Sequence, residues 1–456
     1  MSDERSNDNN NTDKSSSNES DDNKQAKSRR AKKNFIVICL TFILIYTPYN
    51  AVTNLQSSIN IDKNIGLYSL AVISVCSVVS CLFLTHPFIS IFGYKWSIFI
   101  SQVGFLLFIV ANIYPKASFM FPASVLCGLL RAGFWTSQSA FVTDISTHQK
   151  TDEHEDKKAI VNKYFGIFFS TFQTTQIWGN LVSYLILAQT GNNNYERNET
   201  ICGAAFTEST YSASNNDNKS SIAKKTSCVS LIDFRGKRRL HTNASFYTAI
   251  VGQKTKELLH DSIKYFSSTF KQMKNIDQIL LIPLAIWIGS SEAFTFGIYT
   301  RSFITCTIGI QYVGLIMIVF GVTACLFSIF FGYIERYTGR PFCFILASVL
   351  CYSCYATMLV WKPKSSQSYV FYILAGLYGI ASSIWDPIES ALYGLLFTKN
   401  SEPAFCNMWL WQNIGYLIVY FYASELSVRF VPEKKMLKRI LRNGYAGPYD
   451  TDIGFY

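Results

Sequence analysis

Four ionisable residues stand inside long apolar stretches of this chain: Arg131, Glu292, and the pair Asp386 and Glu389. A charge in hydrocarbon is costly, so such residues face the interior of a bundle and mark functional sites by default. Asp386 and Glu389 are three residues apart, which puts them on one helix face. The chemistry they suggest is a cavity in which Arg131 opposes one of the carboxylates, to bind an ion or a polar solute or to gate two halves. The competing reading is a structural ion pair, or a position nearer the interface. Asp386-Pro387 predicts a broken or kinked helix, because proline removes a backbone donor. Interrupted helices are where transporter sites commonly form.

Other chemistries find no residues to rest on. The sequence holds no phosphate-binding glycine loop, nucleophile elbow or zinc helix motif, so it names no catalytic residue, no cofactor and no metal site, and the chain does not read as an enzyme. His148 and His154, among Asp152, Glu153, Glu155 and Asp156, read as a solvated face rather than as metal ligands. Cys351 and Cys354 have CxxC spacing but lack a second pair or a histidine nearby. Ten of the twelve cysteines lie in apolar segments and behave as small apolar side chains. Cys202 and Cys228 instead fall in a long polar loop, where a disulfide between them is expected if the loop is extracytosolic.

The elements that must position these residues are set by composition. Of 456 residues 49% are hydrophobic and only 16% charged, with a mean hydropathy of +0.17, whereas a soluble protein carries about 25% charge. Apolar runs of about 20 residues, long enough to cross a bilayer as helix, recur from Asn34 almost to Arg429. Backbone groups in lipid must pair internally, so an all-α polytopic bundle is expected. The runs fall near 34–56, 66–86, 96–113, 119–145 and 164–188, then near 276–299, 309–331, 341–361, 369–397 and 404–428. These ten spans divide the chain into transmembrane halves at 34–188 and 276–428. The Phe and Tyr content reads as lipid-facing packing and interfacial belt.

Between and around the halves lie polar segments. Residues 1–33 lack aromatics and read as a disordered cytosolic tail. Its last stretch, Lys24 to Lys33, is basic, which places the N-terminus in the cytosol beside anionic lipid and accounts for the net charge of +11 without nucleic acid. The fifth span then ends outside, and the loop 189–256 carries three sequons there, at Asn198, Asn218 and Asn243. Residues 257–275 form an amphipathic linker whose lysines favour the cytosolic face. No apolar run between Cys228 and His260 is long enough to bring the chain back inside. The basic tail 429–456 poses the same conflict. Either the second half is inverted or a sixth and a twelfth span are missing through splicing or an imperfect gene model, and the second account is preferred.

Specific strings carry the reading further. Asn54-Leu-Gln-Ser-Ser58, Trp135-Thr-Ser-Gln138, Tyr299-Thr-Arg-Ser-Phe-Ile-Thr-Cys-Thr-Ile-Gly-Ile-Gln-Tyr-Val-Gly314, Ala391-Leu-Tyr-Gly-Leu-Leu-Phe397 and the Trp409 region resemble the UNC-93-like family of the major facilitator superfamily. The resemblance covers roughly residues 34–188 and 257–425. It implies two six-helix halves of inverted repeats around a central cavity. The superfamily's loop signature is degraded here: Gly332, Arg336, Gly339 and Arg340 remain in the second half with the acid one place early at Glu335. In the first half only Gly93 and Lys95 remain, and Ser90 stands at the acid position. The resemblance implies a multipass protein of the plasma membrane that regulates potassium channels or partners other membrane proteins. The alternative is a secondary transporter of a small solute, with Arg131, Glu292, Asp386 and Glu389 as its candidate site.

Overall fold

The computed structural model describes residues 4–59, 65–147, 157–188, 202–206, 271–398 and 400–421, and every regular element among them is helical. Five helices make the first half: α1 Glu4–Ile59, α2 Ile65–Phe83, α3 Thr85–Ala111, α4 Ala117–Thr147 and α5 Lys157–Ala188. In the second, α6 Ile276–Ala293 runs on as a π-helix over Phe294–Thr305, followed by α7 Gln311–Thr338, α8 Arg340–Val360, α9 Tyr369–Leu396 and α10 at residues 401–421.

Among the described residues seven helical segments are long and apolar enough to cross a membrane, within α1–α4 and α6–α8. Helices α5 and α9, of 32 and 28 residues, and α10 stand in the same bundle and carry polar residues within their apolar stretches. Their polar residues point inward: Gln173, Gln176 and Asn180 of α5, Asp386 and Glu389 of α9, and Gln412 and Asn413 of α10 are all buried. Meanwhile Leu44, Leu280, Ile345 and Leu359 face outward, the apolar exterior that a lipid-immersed bundle presents.

Two apolar clusters hold the bundle. One gathers Phe42, Phe105, Phe134 and Phe168 of the first half together with Phe405, Met408 and Tyr416 of α10. The other gathers Tyr299, Phe320, Phe371 and Trp385 of the second half. Helix α10 therefore belongs to the second half by sequence and packs against both halves. It is tied to the first by the Cys406 thiol, which donates to the Cys81 carbonyl at 3.0 Å, and by Trp409 against Trp135 at 4.7 Å. Helix α5 crosses the other way, with Ser170 Oγ donating to the Cys325 carbonyl of α7 at 2.9 Å. Small residues allow such approaches without a hydrophobic drive between helices. A Cβ on Gly179 would lie 2.3 Å from the Thr47 carbonyl oxygen of α1.

The two halves repeat one backbone device. Gly93 breaks α3 with φ 69 and ψ 166, and Gly339 separates α7 from α8 with φ 78 and ψ 157. Both angles lie in the left-handed range that glycine alone adopts without cost. These are the glycines of the degraded loop signature, so the turn survives in both halves although the acid–arginine pair survives only in the second.

Three expectations are corrected here. Where a disordered tail is expected over 1–33, α1 extends as helix back to Glu4. Once a span such as Ser28–Gln56 exists, each added residue gains a hydrogen bond without a new nucleus. The break expected at Pro387 is also absent, since α9 continues through it as helix. Finally, many aromatics are interior rather than lipid-facing: Phe42 is fully buried and stacks on Phe134 at 4.3 Å. Trp96, Tyr114 and Phe119 do face outward. The linker 257–275 is described only from Lys271, while the loop 207–270 and the tail beyond 421 lie outside the described residues.

Candidate functional site

Between the halves lies a cavity of about 90 Å³. It receives side chains from α1, α2, α4, α5, α6, α9 and α10, and three of the four ionisable residues singled out from sequence line it: Arg131, Glu292 and Asp386. Asp386 and Glu292 come from helices distant in sequence, and their carboxyl groups lie against one another. Glu389 does not line the cavity. It sits fully buried behind it, where Gln412 Nε2 donates to its Oε2 at 2.7 Å.

Among the described residues Arg131 makes no direct ion pair: no carboxylate comes within 4.0 Å of it, whereas Arg340 pairs with Glu335. The Arg131 guanidinium instead lies over the Tyr416 ring, 5.1 Å from the centroid. The hydroxyl of that same tyrosine donates to Glu292. A cation over an aromatic face is attracted by the ring quadrupole, more strongly where water is excluded. Helix α6 can bring Glu292 this near because Gly289 lets α10 approach: a Cβ there would lie 2.1 Å from the Gln412 carbonyl oxygen.

Residues not anticipated as a site complete it. Ser382 Oγ donates to Asp386 Oδ2 at 3.2 Å, and Gln173 Nε2 of α5 reaches Ser382 Oγ at 3.5 Å. A polar ladder continues along the α1–α5 seam, with Asn50 Nδ2 donating to Thr175 Oγ1 at 2.8 Å and Asn54 Nδ2 to Gln176 Oε1 at 2.8 Å. The indole N–H of Trp409, on a side chain only 8% exposed, lines the cavity without a hydrogen-bond partner. The signal that marks these residues in the sequence is uncharged: Gln173, Gln176 and Asn180, or Trp409, Gln412 and Tyr416, recur at helical steps.

On the side of the Gly339 turn, Arg340 Nε donates to Glu335 Oε1 at 2.7 Å and Arg340 Nη2 to Asn162 Oδ1 of α5 at 3.4 Å. The acid that stands one place early therefore still meets an arginine. At the matching turn of the first half Ser90 only returns a hydrogen bond to the Pro87 carbonyl, and Lys95 Nζ reaches Asn34 Oδ1 at 3.4 Å.

The expected disulfide is also corrected. Cys202 is bonded to Cys306 at the end of the π-helix, 104 residues away in sequence, so it is not free to pair with Cys228. From the sequence Cys306 counts among the apolar cysteines, and it is indeed buried, directly after the π-helix and bonded to the loop cysteine. Phe206 follows the bridge and lies over the Arg301 guanidinium at 5.5 Å. Cys228 and the sequon residues Asn198, Asn218 and Asn243 lie outside the described residues. Among the described residues no three His, Cys, Asp or Glu side chains group as metal ligands.

Comparison with known proteins decides the family. The model of the family described as "Ion channel regulatory protein UNC-93" matches residues 57–431. The chain belongs to the UNC-93 family. It is 33% identical over 405 residues to human "Protein unc-93 homolog A", covering 88% of this chain and 89% of that protein. It is 26% identical over 414 residues to the Caenorhabditis elegans protein named "Putative potassium channel regulatory protein unc-93", covering 88% of this chain and 58% of that one. Its fold is similar to that of the xylose transporter XylE from E. coli in a partially occluded inward open conformation, with a TM-score of 0.50 at 11% identity, over 85% of this chain and 90% of that one. This UNC-93 family chain thus has a major facilitator-like bundle, as expected from sequence.

Proposed function

We propose that this UNC-93 family protein is an accessory subunit of the plasma membrane that regulates a potassium channel or another integral membrane protein. The observation that carries the reading is the match of residues 57–431 to a family described as ion channel regulatory, joined by the name of the Caenorhabditis elegans relative. The loop geometry supports it. A bundle that cycles between two states through paired charges at both turns would need an acid in the first half, and Ser90 supplies none. A partner protein need not cycle. Ion recognition by the chain itself requires no catalytic group, and the reading assigns it no enzymatic activity.

Secondary transport remains the competing function, and its specific support is the charged central cavity between the halves. Coexpression separates the two. The accessory reading expects currents from at least one member of a panel of potassium channels to change in amplitude or voltage dependence when this chain is present. It also expects vesicles holding the chain alone to show no solute flux sensitive to Asp386→Asn. Unchanged currents across the panel, with flux that Asp386→Asn abolishes, would reverse the assignment.

A further inference from the structure

The central cavity is chemically two-sided. Toward α6 and α9 it offers acceptors, the adjoining carboxyl groups of Glu292 and Asp386. Toward α4 and α10 it offers donors: Arg131, without an ion-pair partner among the described residues, and one turn along α4 Trp135, tilted against Trp409 at 4.7 Å, whose N–H is partnerless. The two sides are held apart by the phenol of Tyr416, with Arg131 over its face and Glu292 at its hydroxyl. The remaining wall is aromatic, with Tyr46, Phe169 and Phe296 among its members.

Each simple ligand class is opposed by one side of this cavity. A lone anion at Arg131 would face the Glu292–Asp386 pair, whose adjoining carboxyl groups hold one negative charge when they share a proton, and a lone cation at Asp386 would face the Arg131 guanidinium, where like charges meet with little water to screen them. A neutral solute would leave the charges on both sides without complements. A ligand carrying both charges a few ångströms apart satisfies both sides. We propose that the cavity binds a small zwitterion of the amino-acid type, with its ammonium at Glu292 and Asp386 and its carboxylate at Arg131 beside Trp409. The aromatic wall suits the apolar part of such a molecule and also favours an ammonium lying on a ring face. The inference concerns binding by this chain alone and does not rest on the channel role.

The test uses the purified full-length chain in detergent and reads saturable stabilisation against heat. The probes are L-alanine, L-leucine and L-phenylalanine, and the controls are propylamine and propionate, each of which keeps one of the two charges. At least one amino acid is expected to bind at least tenfold more tightly than either control. Asp386→Asn and Arg131→Gln are each expected to weaken that binding by roughly 10- to 100-fold, the loss typical of one charge-assisted hydrogen bond. Should Arg131→Gln fail to fold, Trp409→Phe keeps an aromatic side chain, removes the N–H together with part of the indole, and is expected to weaken binding several-fold. The proposal is overturned if none of the three amino acids gives saturable binding, if a single-charge control matches them, or if affinity survives these substitutions.

Discussion

Arg131 and Glu292 meet on one side chain without touching: the guanidinium lies 5.1 Å from the centre of the Tyr416 ring, and the carboxylate accepts from its hydroxyl. The three residues come from α4, α6 and α10, so this contact joins the two halves beside the cavity. Tyr416→Phe keeps the ring under Arg131 and removes the donor to Glu292. A buried acceptor left without its donor costs about 1–3 kcal/mol. Thermal unfolding in detergent is expected to register that loss, and a variant that melts with the parent would show that the hydrogen bond contributes nothing.

The two signature turns have the same backbone and different charges, so they respond differently to paired substitutions. Glu335 and Arg340, 6% and 21% exposed, form a partly buried ion pair. A double-mutant cycle with Glu335→Ala and Arg340→Ala is expected to give a coupling of about 1 kcal/mol. The corresponding cycle with Ser90→Ala and Lys95→Ala is expected to be additive within about 0.5 kcal/mol. Equal coupling at the two turns would contradict the asymmetry.

Non-reducing peptide mapping tests the bridge directly. The fragment bearing Cys202 is expected to run linked to the one bearing Cys306, and Cys228→Ser is expected to leave that link intact. Cys202→Ser and Cys306→Ser should lower stability equally, by up to about 5 kcal/mol from the entropy of a closed loop of this length. A fragment linking Cys202 to Cys228 would refute the assignment.

Gly289 sets the spacing between α6 and α10. The Cβ of Gly289→Ala would meet the Gln412 carbonyl at 2.1 Å, too close for any shift of a side chain to relieve. Backbone movement is required, at a cost of about 1–3 kcal/mol. Because Gln412 also donates to Glu389, the variant is expected to disturb the polar layer behind the cavity as well. A melting temperature equal to the parent's would mean that the helices lie farther apart.

Much of the fold was legible because its signal is long and redundant. The apolar runs near 66–86, 309–331 and 341–361 became α2, α7 and α8 within a few residues at most ends, since no other element satisfies the backbone in lipid. Arg131, Glu292 and Asp386 were legible as a site because a charge within such a run has few places to go. Tyr416, Trp409, Gln173 and Ser382 were not, since an uncharged polar or aromatic residue in a span faces lipid, a neighbouring helix or a cavity with equal ease. Glu389 looked equivalent to Asp386 one turn away, and the difference lies only in the rotation of α9, which turns one carboxylate to the cavity and the other to Gln412.

The amino-acid sequence by itself determined that this protein is a helical membrane bundle in two halves and which charges its interior must hold, because transfer into lipid is a property of each segment taken alone. Which helices cross between halves, which cysteine meets Cys202, and which side chains share the cavity with Arg131 were decided by tertiary structure. Those outcomes depend on distances between residues far apart in the chain, fixed by close approaches such as those at Gly179 and Gly289, and local composition does not encode them.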